Sequence, residues 1–172
     1  INPTEELGAK IAERGHTLIY GGGAEGLMGA AARGAYSQGG KIIGIVPSFL
    51  NVDGILFDNC DEMIFTETMR ERKQLMEQKS DAFIMTPGGL GTFDEFFEIM
   101  TLKQLGRHSK PIAVFNINGY FDNLIQQLKQ AVHEQFMSPE SFELCLFTDN
   151  ADKLINYLEY AVNEPGQAKV YK

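Results

Sequence analysis

The residues best placed to do chemistry form a glycine-rich turn, Pro87-Gly88-Gly89-Leu90-Gly91-Thr92. This turn follows an apolar run that ends at Met85 and precedes a helical pattern. Glycine lets the backbone approach a ligand closely and adopt positive φ, and a helix start presents N–H groups at the positive end of its dipole. We therefore predict a phosphate site here. A Walker loop would continue with Lys and then Ser or Thr, but Thr92 and Phe93 follow Gly91, so ATP hydrolysis is disfavoured.

Glu95 has two interpretations. In the first, Thr92-Phe93-Asp94-Glu95 is a capping box and Glu95 satisfies the N-cap amide. In the second, helical periodicity sets Glu95 between Ile99 and Leu102, and a carboxylate in apolar surroundings beside a phosphate site is a candidate acid, base or cation stabiliser. Both interpretations remain open on this pattern.

The preceding helical pattern places two cations beside an apolar stripe. Met69 and Met76 mark the stripe, Arg72 and Lys73 flank it, and a solvated face opposite is predicted for Arg70, Glu71, Gln74 and Glu77. Cations in such a place need anionic partners. A structural pair with Glu95 or Glu98 is one possibility, and a bound phosphate or hydroxyl cluster is the other.

A second glycine segment, Gly21-Gly22-Gly23-Ala24-Glu25-Gly26, matches G-x-G-x-x-G. A dinucleotide fingerprint also needs an acid at the end of the next strand, but that strand ends in Val46-Pro47-Ser48. NAD is therefore not expected, and a tight turn with close helix–strand packing is the alternative to a ligand loop. His16, His108 and His133 lack ligand spacing and are interpreted as surface or satisfied residues.

Composition limits the function classes. A chain of 172 residues with 44% hydrophobic residues predicts one globular domain, residues 1–172. A net charge of −8 without a basic block argues against nucleic-acid binding. No apolar run suits a membrane span. Cys60 and Cys145 show neither metal spacing nor a disulfide framework. We expect a cytoplasmic protein with no cofactor, no metal and no membrane partner.

Six short apolar runs predict strands, and helical patterns separate them. The predicted strands are Thr17–Tyr20, Lys41–Val46, Glu62–Phe65, Ala82–Met85, Ile112–Phe115 and Leu144–Phe147; the predicted helices are Pro3–Arg14, 27–38, 67–80, 92–105, 120–136 and 150–162. Apolar strands that alternate with helices indicate a doubly wound, Rossmann-like parallel α/β sheet. Because such a fold normally begins with a strand, whereas this sequence opens with a helical pattern, we expect that an N-terminal strand and its loop are missing from this chain.

Taken together, the motifs resemble those of the LONELY GUY family of cytokinin riboside 5′-monophosphate phosphoribohydrolases, formerly labelled lysine decarboxylases. The motifs that carry the resemblance are Met69-x-x-Arg72-Lys73, Pro87-Gly88-Gly89-x-Gly91-Thr92-x-x-Glu95, Gly21-Gly22-Gly23-x-x-Gly26-Leu27-Met28-Gly29, Gln104-Leu105-Gly106-x-His108-x-Lys110-Pro111 and Asn118-Gly119-Tyr120-Phe121. The sequence departs from the family at Arg70, where His is common, and at Leu102, where Trp is common.

The resemblance implies a homodimer and a set of site residues. It assigns catalysis to Arg72 and Glu95, and the 5′-phosphate to the glycine turn. The implied substrate and phosphate contacts are Met69, Lys73, Gly88, Gly89, Leu90, Gly91, Thr92, Thr101, Gly22 and Gly23. The implied reaction is hydrolysis of the N-glycosidic bond of an AMP-like nucleotide to a free base and ribose 5-phosphate.

Two other functions compete with this one. The first is a non-catalytic carrier of the same fold that holds a nucleotide or a pterin-type cofactor, and the presence of both Arg72 and Glu95 favours the enzyme over it. The second is a pyridoxal-phosphate-dependent decarboxylase, for which the chain is short and offers no convincing cofactor lysine.

Overall fold

The computed structural model describes residues 2–164, which form parallel strands and α-helices in two compact units, residues up to Ser80 and residues from Asp81. The strands are β1 Leu18–Tyr20, β2 Ile42–Pro47, β3 Glu62–Thr66, β4 Phe83–Met85, β5 Ile112–Phe115 and β6 Cys145–Thr148. The α-helices are α1 Pro3–Glu13, α2 Gly26–Ser37, α3 Met69–Lys79, α4 Leu90–Gln104, α5 Asp122–His133, α6 Pro139–Phe142 and α7 Ala151–Asn163.

The first unit is a parallel sheet in the order β1-β2-β3, with helices α1, α2 and α3. Tyr20 pairs with Gly44, and Pro47 pairs with Thr66, so the carboxyl ends of the strands lie at one edge. Helices α1 and α2 pack closely because a glycine of each helix faces the backbone of the other. A Cβ on Gly34 would lie 1.9 Å from the Glu5 carbonyl oxygen.

The second unit is a parallel sheet in the order β4-β5-β6. Strand β5 is buried along its whole length, as expected for the central strand of a covered sheet. Its core cluster joins Met85, Ile112 and Val114 of the sheet to Phe96 of α4 and to Phe121. These contacts fix the position of α4 relative to the end of β4.

All six predicted strands are confirmed within one residue at each end, and the Rossmann-like α/β class is confirmed with them. The predicted strict alternation is wrong between β2 and β3, where the connection carries a 3₁₀ turn, Ser48–Leu50, in place of an α-helix. Helix α6 was not predicted because four residues are too few for a periodic signal. The single domain stays a prediction. In the described part of the chain, we find no helix with the length and apolarity that crossing a bilayer requires.

Candidate phosphate-binding and catalytic site

The glycine turn leads directly from β4 into α4. Gly89 is the N-cap residue, and the first intrahelical bond runs from the Phe93 N–H to the Gly89 carbonyl at 3.2 Å. The cap uses no side chain, and the first turn of α4 carries no acidic residue. The first N–H groups of a 15-residue helix therefore meet the turn at the positive end of the helix dipole. This arrangement suits an anion.

The three glycines of the turn provide room for a ligand rather than positive φ angles. Positive φ occurs at other glycines, such as Gly22 and Gly106, but not at Gly88, Gly89 or Gly91. A Cβ on Gly88 would lie 2.1 Å from Thr92 Oγ1, whereas a Cβ on Gly89 or Gly91 would meet no atom within 4 Å. The open faces of Gly89 and Gly91 leave their backbone accessible to a ligand.

Tyr120 lies in the loop between β5 and α5 and stabilises this turn. Its hydroxyl donates to the Gly88 carbonyl at 2.7 Å, and its ring packs edge-on against Phe121. Gly119, at φ 69°, and the Asn116–Asp122 hydrogen bond of 2.8 Å shape the loop that carries it. Sequence reasoning gave Tyr120 no role, because the two partners are 32 positions apart and only the family motif marked this segment.

Glu95 lies in the second turn of α4 and is half-buried. The capping-box interpretation is wrong, because the helix begins at Leu90 rather than after Thr92. Gly89, three residues before Thr92, is the cap, with non-helical backbone dihedrals of φ −105° and ψ −148°. Glu95 is therefore too far along α4 to satisfy the N-cap amide.

Arg72 is the buried residue of α3, with 9% of its surface exposed. Its Nε donates to the Ile45 carbonyl of β2 at 2.9 Å. Around it, Met69, Lys73 and Met76 are half-buried. On the side of α3 that was predicted to be an apolar stripe, the most buried residue is therefore Arg72, and Met69 and Met76 lie half-buried beside it. Arg70, Glu71 and Gln74 are exposed as predicted, but Glu77 is half-buried, which corrects that assignment.

The first glycine segment has a structural explanation at Gly22. Its φ is 79°, and a Cβ there would lie 2.5 Å from Val46 Cγ2. Gly23 bridges to Leu56, and the Phe57 N–H donates to the Gly22 carbonyl at 2.9 Å. The tight turn and close packing expected as the alternative to a ligand loop are therefore present.

Thr101 lies on α4 and is exposed, at the wall of a cavity of about 80 Å³ in the second unit. The cavity is lined mainly by apolar side chains of α4, α5 and α6, and by Cys145. Burial raises the pKa of the Cys145 thiol to about 12. Burial also lowers the pKa of Lys103, whose Nζ donates to the Leu144 carbonyl at 2.9 Å.

His108 is satisfied, as expected, by backbone partners. The Lys110 N–H donates to its Nδ1 at 3.1 Å, so the proton lies on Nε2, which donates to the Ile99 carbonyl at 2.8 Å. His16 and His133 are exposed. Among residues 2–164, His, Cys, Asp and Glu side chains form no group of three that could hold a metal ion.

Fold and site together define a Rossmann-like α/β protein with an anion-binding turn at the carboxyl end of a parallel strand. The profile of the family described as "Possible lysine decarboxylase" matches residues 28–158. The chain belongs to this family, and the predicted membership of its LONELY GUY group is confirmed by the relatives that it matches.

Two of those relatives cover most of the chain. The cytokinin riboside 5′-monophosphate phosphoribohydrolase of Mycobacterium tuberculosis is 44% identical over 145 residues, which span 84% of this chain and 78% of that protein. Cytokinin riboside 5′-monophosphate phosphoribohydrolase LOG2 of Arabidopsis thaliana is 38% identical over 154 residues, 90% of this chain and 72% of that protein.

Solved structures show the same fold. The molybdenum cofactor binding protein of Rippkaea orientalis aligns with a TM-score of 0.71 and 26% identity, covering 93% of this chain and 86% of that one. The molybdenum cofactor carrier protein of Chlamydomonas reinhardtii aligns with a TM-score of 0.68 and 22% identity over the same shares, which supports the fold alone.

Proposed function

We propose that this protein hydrolyses the N-glycosidic bond of AMP-like nucleoside 5′-monophosphates, including N6-substituted ones, and releases the free base and ribose 5-phosphate. The observation that carries the proposal is that the start of α4 has no side-chain cap and lies behind the open faces of Gly89 and Gly91. The names of the relatives support the reaction class.

The 5′-phosphate binds at the turn. Backbone N–H groups of Gly89, Leu90, Gly91 and Thr92 supply the positive field, so a protein with a net charge of −8 needs few cations for this purpose. We assign the remaining substrate contacts to Lys73, Met69, Thr101, Gly22 and Gly23.

Catalysis is assigned to Glu95 and Arg72. Water attacks C1′ of the ribose, the C1′–N bond breaks, its electron pair leaves with the base, and the proton that the water loses ends on the base. Positive charge develops on the ribose in the transition state, and the Glu95 carboxylate stabilises that charge or activates the water. Arg72 binds ribose or phosphate oxygens through its guanidinium. The residues assigned to the reaction require no cofactor.

The alternative is a non-catalytic carrier of a nucleotide or pterin-type cofactor. The likeness to the Rippkaea orientalis molybdenum cofactor binding protein favours it. The relatives named phosphoribohydrolases are more similar in sequence, at 38–44% identity against 26%, so the enzyme has the stronger support.

One incubation separates the two functions. The purified protein is given AMP, N6-isopentenyl-AMP and the corresponding nucleosides, and released base and ribose 5-phosphate are quantified. We expect release from a monophosphate and none from the nucleosides, because the turn recognises the phosphate. Equal rates on nucleotide and nucleoside would contradict the role of residues 88–92. Tight nucleotide binding without release would favour the carrier.

We further propose a cytoplasmic homodimer. Both cysteines are free thiols, which suits the cytoplasm. Helix α4 supports the dimer, because its residues Leu90 and Phe97 and its C-cap residue Leu105 are exposed by 89%, 41% and 65%, although its Phe96 side is buried. Light scattering at micromolar concentration is expected to give twice the mass of the chain, and a monomer would contradict the proposal.

A further inference from the structure

The Arg72 side chain crosses from α3 to Ile45, inside strand β2. Strand β1 ends at Tyr20, opposite Gly44, and Ile45 is the next residue of β2. The Ile45 carbonyl accepts the Arg72 Nε–H there at 2.9 Å, in a buried position. A bond from Nε fixes the plane of the guanidinium, because Nε belongs to the same planar group as the two terminal nitrogens.

Gly21 covers one side of that guanidinium. A Cβ built on Gly21 would lie 2.3 Å from Arg72 Nη2, 3.5 Å from Arg72 Cζ and 3.2 Å from Met28 Sδ. The backbone of Gly21 is not in the positive-φ region, unlike that of Gly22. Glycine is therefore needed at position 21 for the space that the terminal nitrogen occupies, not for its backbone conformation.

From these two contacts we infer that Gly21 and the Ile45 carbonyl are positioning groups that aim the Arg72 guanidinium. The catalytic consequence of this inference rests on the proposed function, whereas the contacts of Gly21 and the Ile45 carbonyl with Arg72 do not. Because Nε is held by the strand, Arg72 meets a substrate through its terminal nitrogens. Gly21, which separates one of them from the backbone, controls where that nitrogen points.

Two variants follow from the atomic distances. Gly21→Ala pushes the terminal nitrogen aside by about 1 Å, and a displacement of that size costs on the order of 10²-fold in rate. Lysine lacks the terminal nitrogen that collides, and its ammonium falls near the position of Cζ, which an alanine at 21 would meet at an ordinary 3.5 Å. Gly21→Ala should therefore cost little when Arg72→Lys is already present.

The first experiment is this double-mutant cycle on release of base from an AMP-like monophosphate. We expect Gly21→Ala alone to lower kcat about 100-fold, with a smaller change in KM, and to lower it less than about 3-fold in the Arg72→Lys background. Gly39→Ala is the matched control. It lies in the turn before β2, at the opposite edge of the sheet, and strains the backbone at φ 67°. Its turnover per folded molecule should stay normal. Equal losses in both Arg72 backgrounds, or an unchanged kcat in Gly21→Ala, would overturn the inference.

The second experiment does not depend on the reaction. In ¹H–¹⁵N spectra, the Arg72 Nε–H signal is assigned by its disappearance in Arg72→Lys. We expect slow solvent exchange for this signal in the native protein, because the bond to Ile45 is buried. Gly21→Ala should move the signal and speed its exchange, while Gly39→Ala should leave it unchanged. A signal that Gly21→Ala does not alter overturns the inference. If the spectra confirm the contacts around Arg72 but the native protein releases no base, the proposed function is wrong and the positioning inference stands.

Discussion

Glu95 occupies the second turn of α4, where its carboxylate has no part in capping the helix. Replacing it with glutamine keeps the shape of the side chain and removes the negative charge. We expect Glu95→Gln to lower kcat by about 10²–10³-fold, as losing one electrostatic contact in a transition state does, with substrate binding and melting temperature nearly unchanged. Steady-state kinetics and thermal unfolding of the same preparations measure both quantities.

Glu98→Gln is the matched control for that variant, since Glu98 is exposed on the same helix. Its turnover should equal that of the native protein. Normal turnover per folded molecule in Glu95→Gln would remove Glu95 from the catalytic assignment, whatever happens to its stability.

Tyr120 stabilises the turn through one hydroxyl, which donates to the Gly88 carbonyl at 2.7 Å. Tyr120→Phe keeps the edge-on ring contact with Phe121 and removes this bond. Because a hydrogen bond is worth about 1 kcal/mol net, we expect affinity for AMP to fall about fivefold, with a smaller effect on kcat. Titration calorimetry measures the affinity, and Tyr160→Phe, on an exposed tyrosine of α7, is the control. Equal affinities for the two variants would show that the turn needs no anchor.

Among the elements, α1 and α2 form the closest helix pair of the first unit. Gly8 faces the Ala31 carbonyl, and Gly34 faces the Glu5 carbonyl. A Cβ at position 34 has no space unless the helices separate. We expect Gly34→Ala to destabilise the protein by about 1–3 kcal/mol, the usual cost of overpacking, even though alanine favours helix more than glycine does. Denaturant unfolding measures the loss.

Arg33→Ala offers the comparison for that variant on the same helix pair. It removes an exposed ion pair with Glu5, 3.9 Å between the charged atoms, and an exposed hydrogen bond to the Ala24 carbonyl at 3.2 Å; exposed ion pairs contribute about 0–1 kcal/mol. A loss from Gly34→Ala no larger than that from Arg33→Ala would mean that the helices separate at little cost.

The strands could be predicted from the sequence because buried strands are apolar along their length, as in β5. Helix starts were harder. The sequence pattern favours Thr92 as the cap, yet Gly89 caps α4 and the helix already includes Thr92. The Tyr120–Gly88 and Arg72–Ile45 bonds join residues 32 and 27 positions apart, and only the folded chain brings such partners together.

At the scale of the whole molecule, Cys145 makes the free energy of unfolding depend on pH in the alkaline range. Its pKa is raised by burial from 9.0 to about 12, so between these values the folded state binds more protons than the unfolded state. Stability then falls as pH rises, by about 1.4 kcal/mol per pH unit at most. Lys103, whose pKa is lowered by burial, acts with the opposite sign, and Tyr157, whose pKa is raised mainly by burial and also by Cys145, acts with the same sign.

We therefore expect Cys145→Ala to lose less stability than the native protein between pH 8.5 and 10.5, a range of about two units around the ordinary thiol pKa. The alanine costs a fixed amount at every pH, so the measurement is the difference in slope of unfolding free energy with pH. Cys60→Ala, at a half-buried thiol whose pKa is also raised, should flatten the slope less. Parallel curves for the native protein and Cys145→Ala would contradict this account.

Chemical modification of Lys103 can measure local opening of the second unit. The residue is 8% exposed, and its amine donates to the Leu144 carbonyl, just before β6 begins. An acylating reagent reaches the nitrogen only when α4 and that segment move apart and the bond breaks. The rate at which Lys103 is modified therefore counts these openings, whereas an exposed amine such as that of Lys129 reports only the reagent.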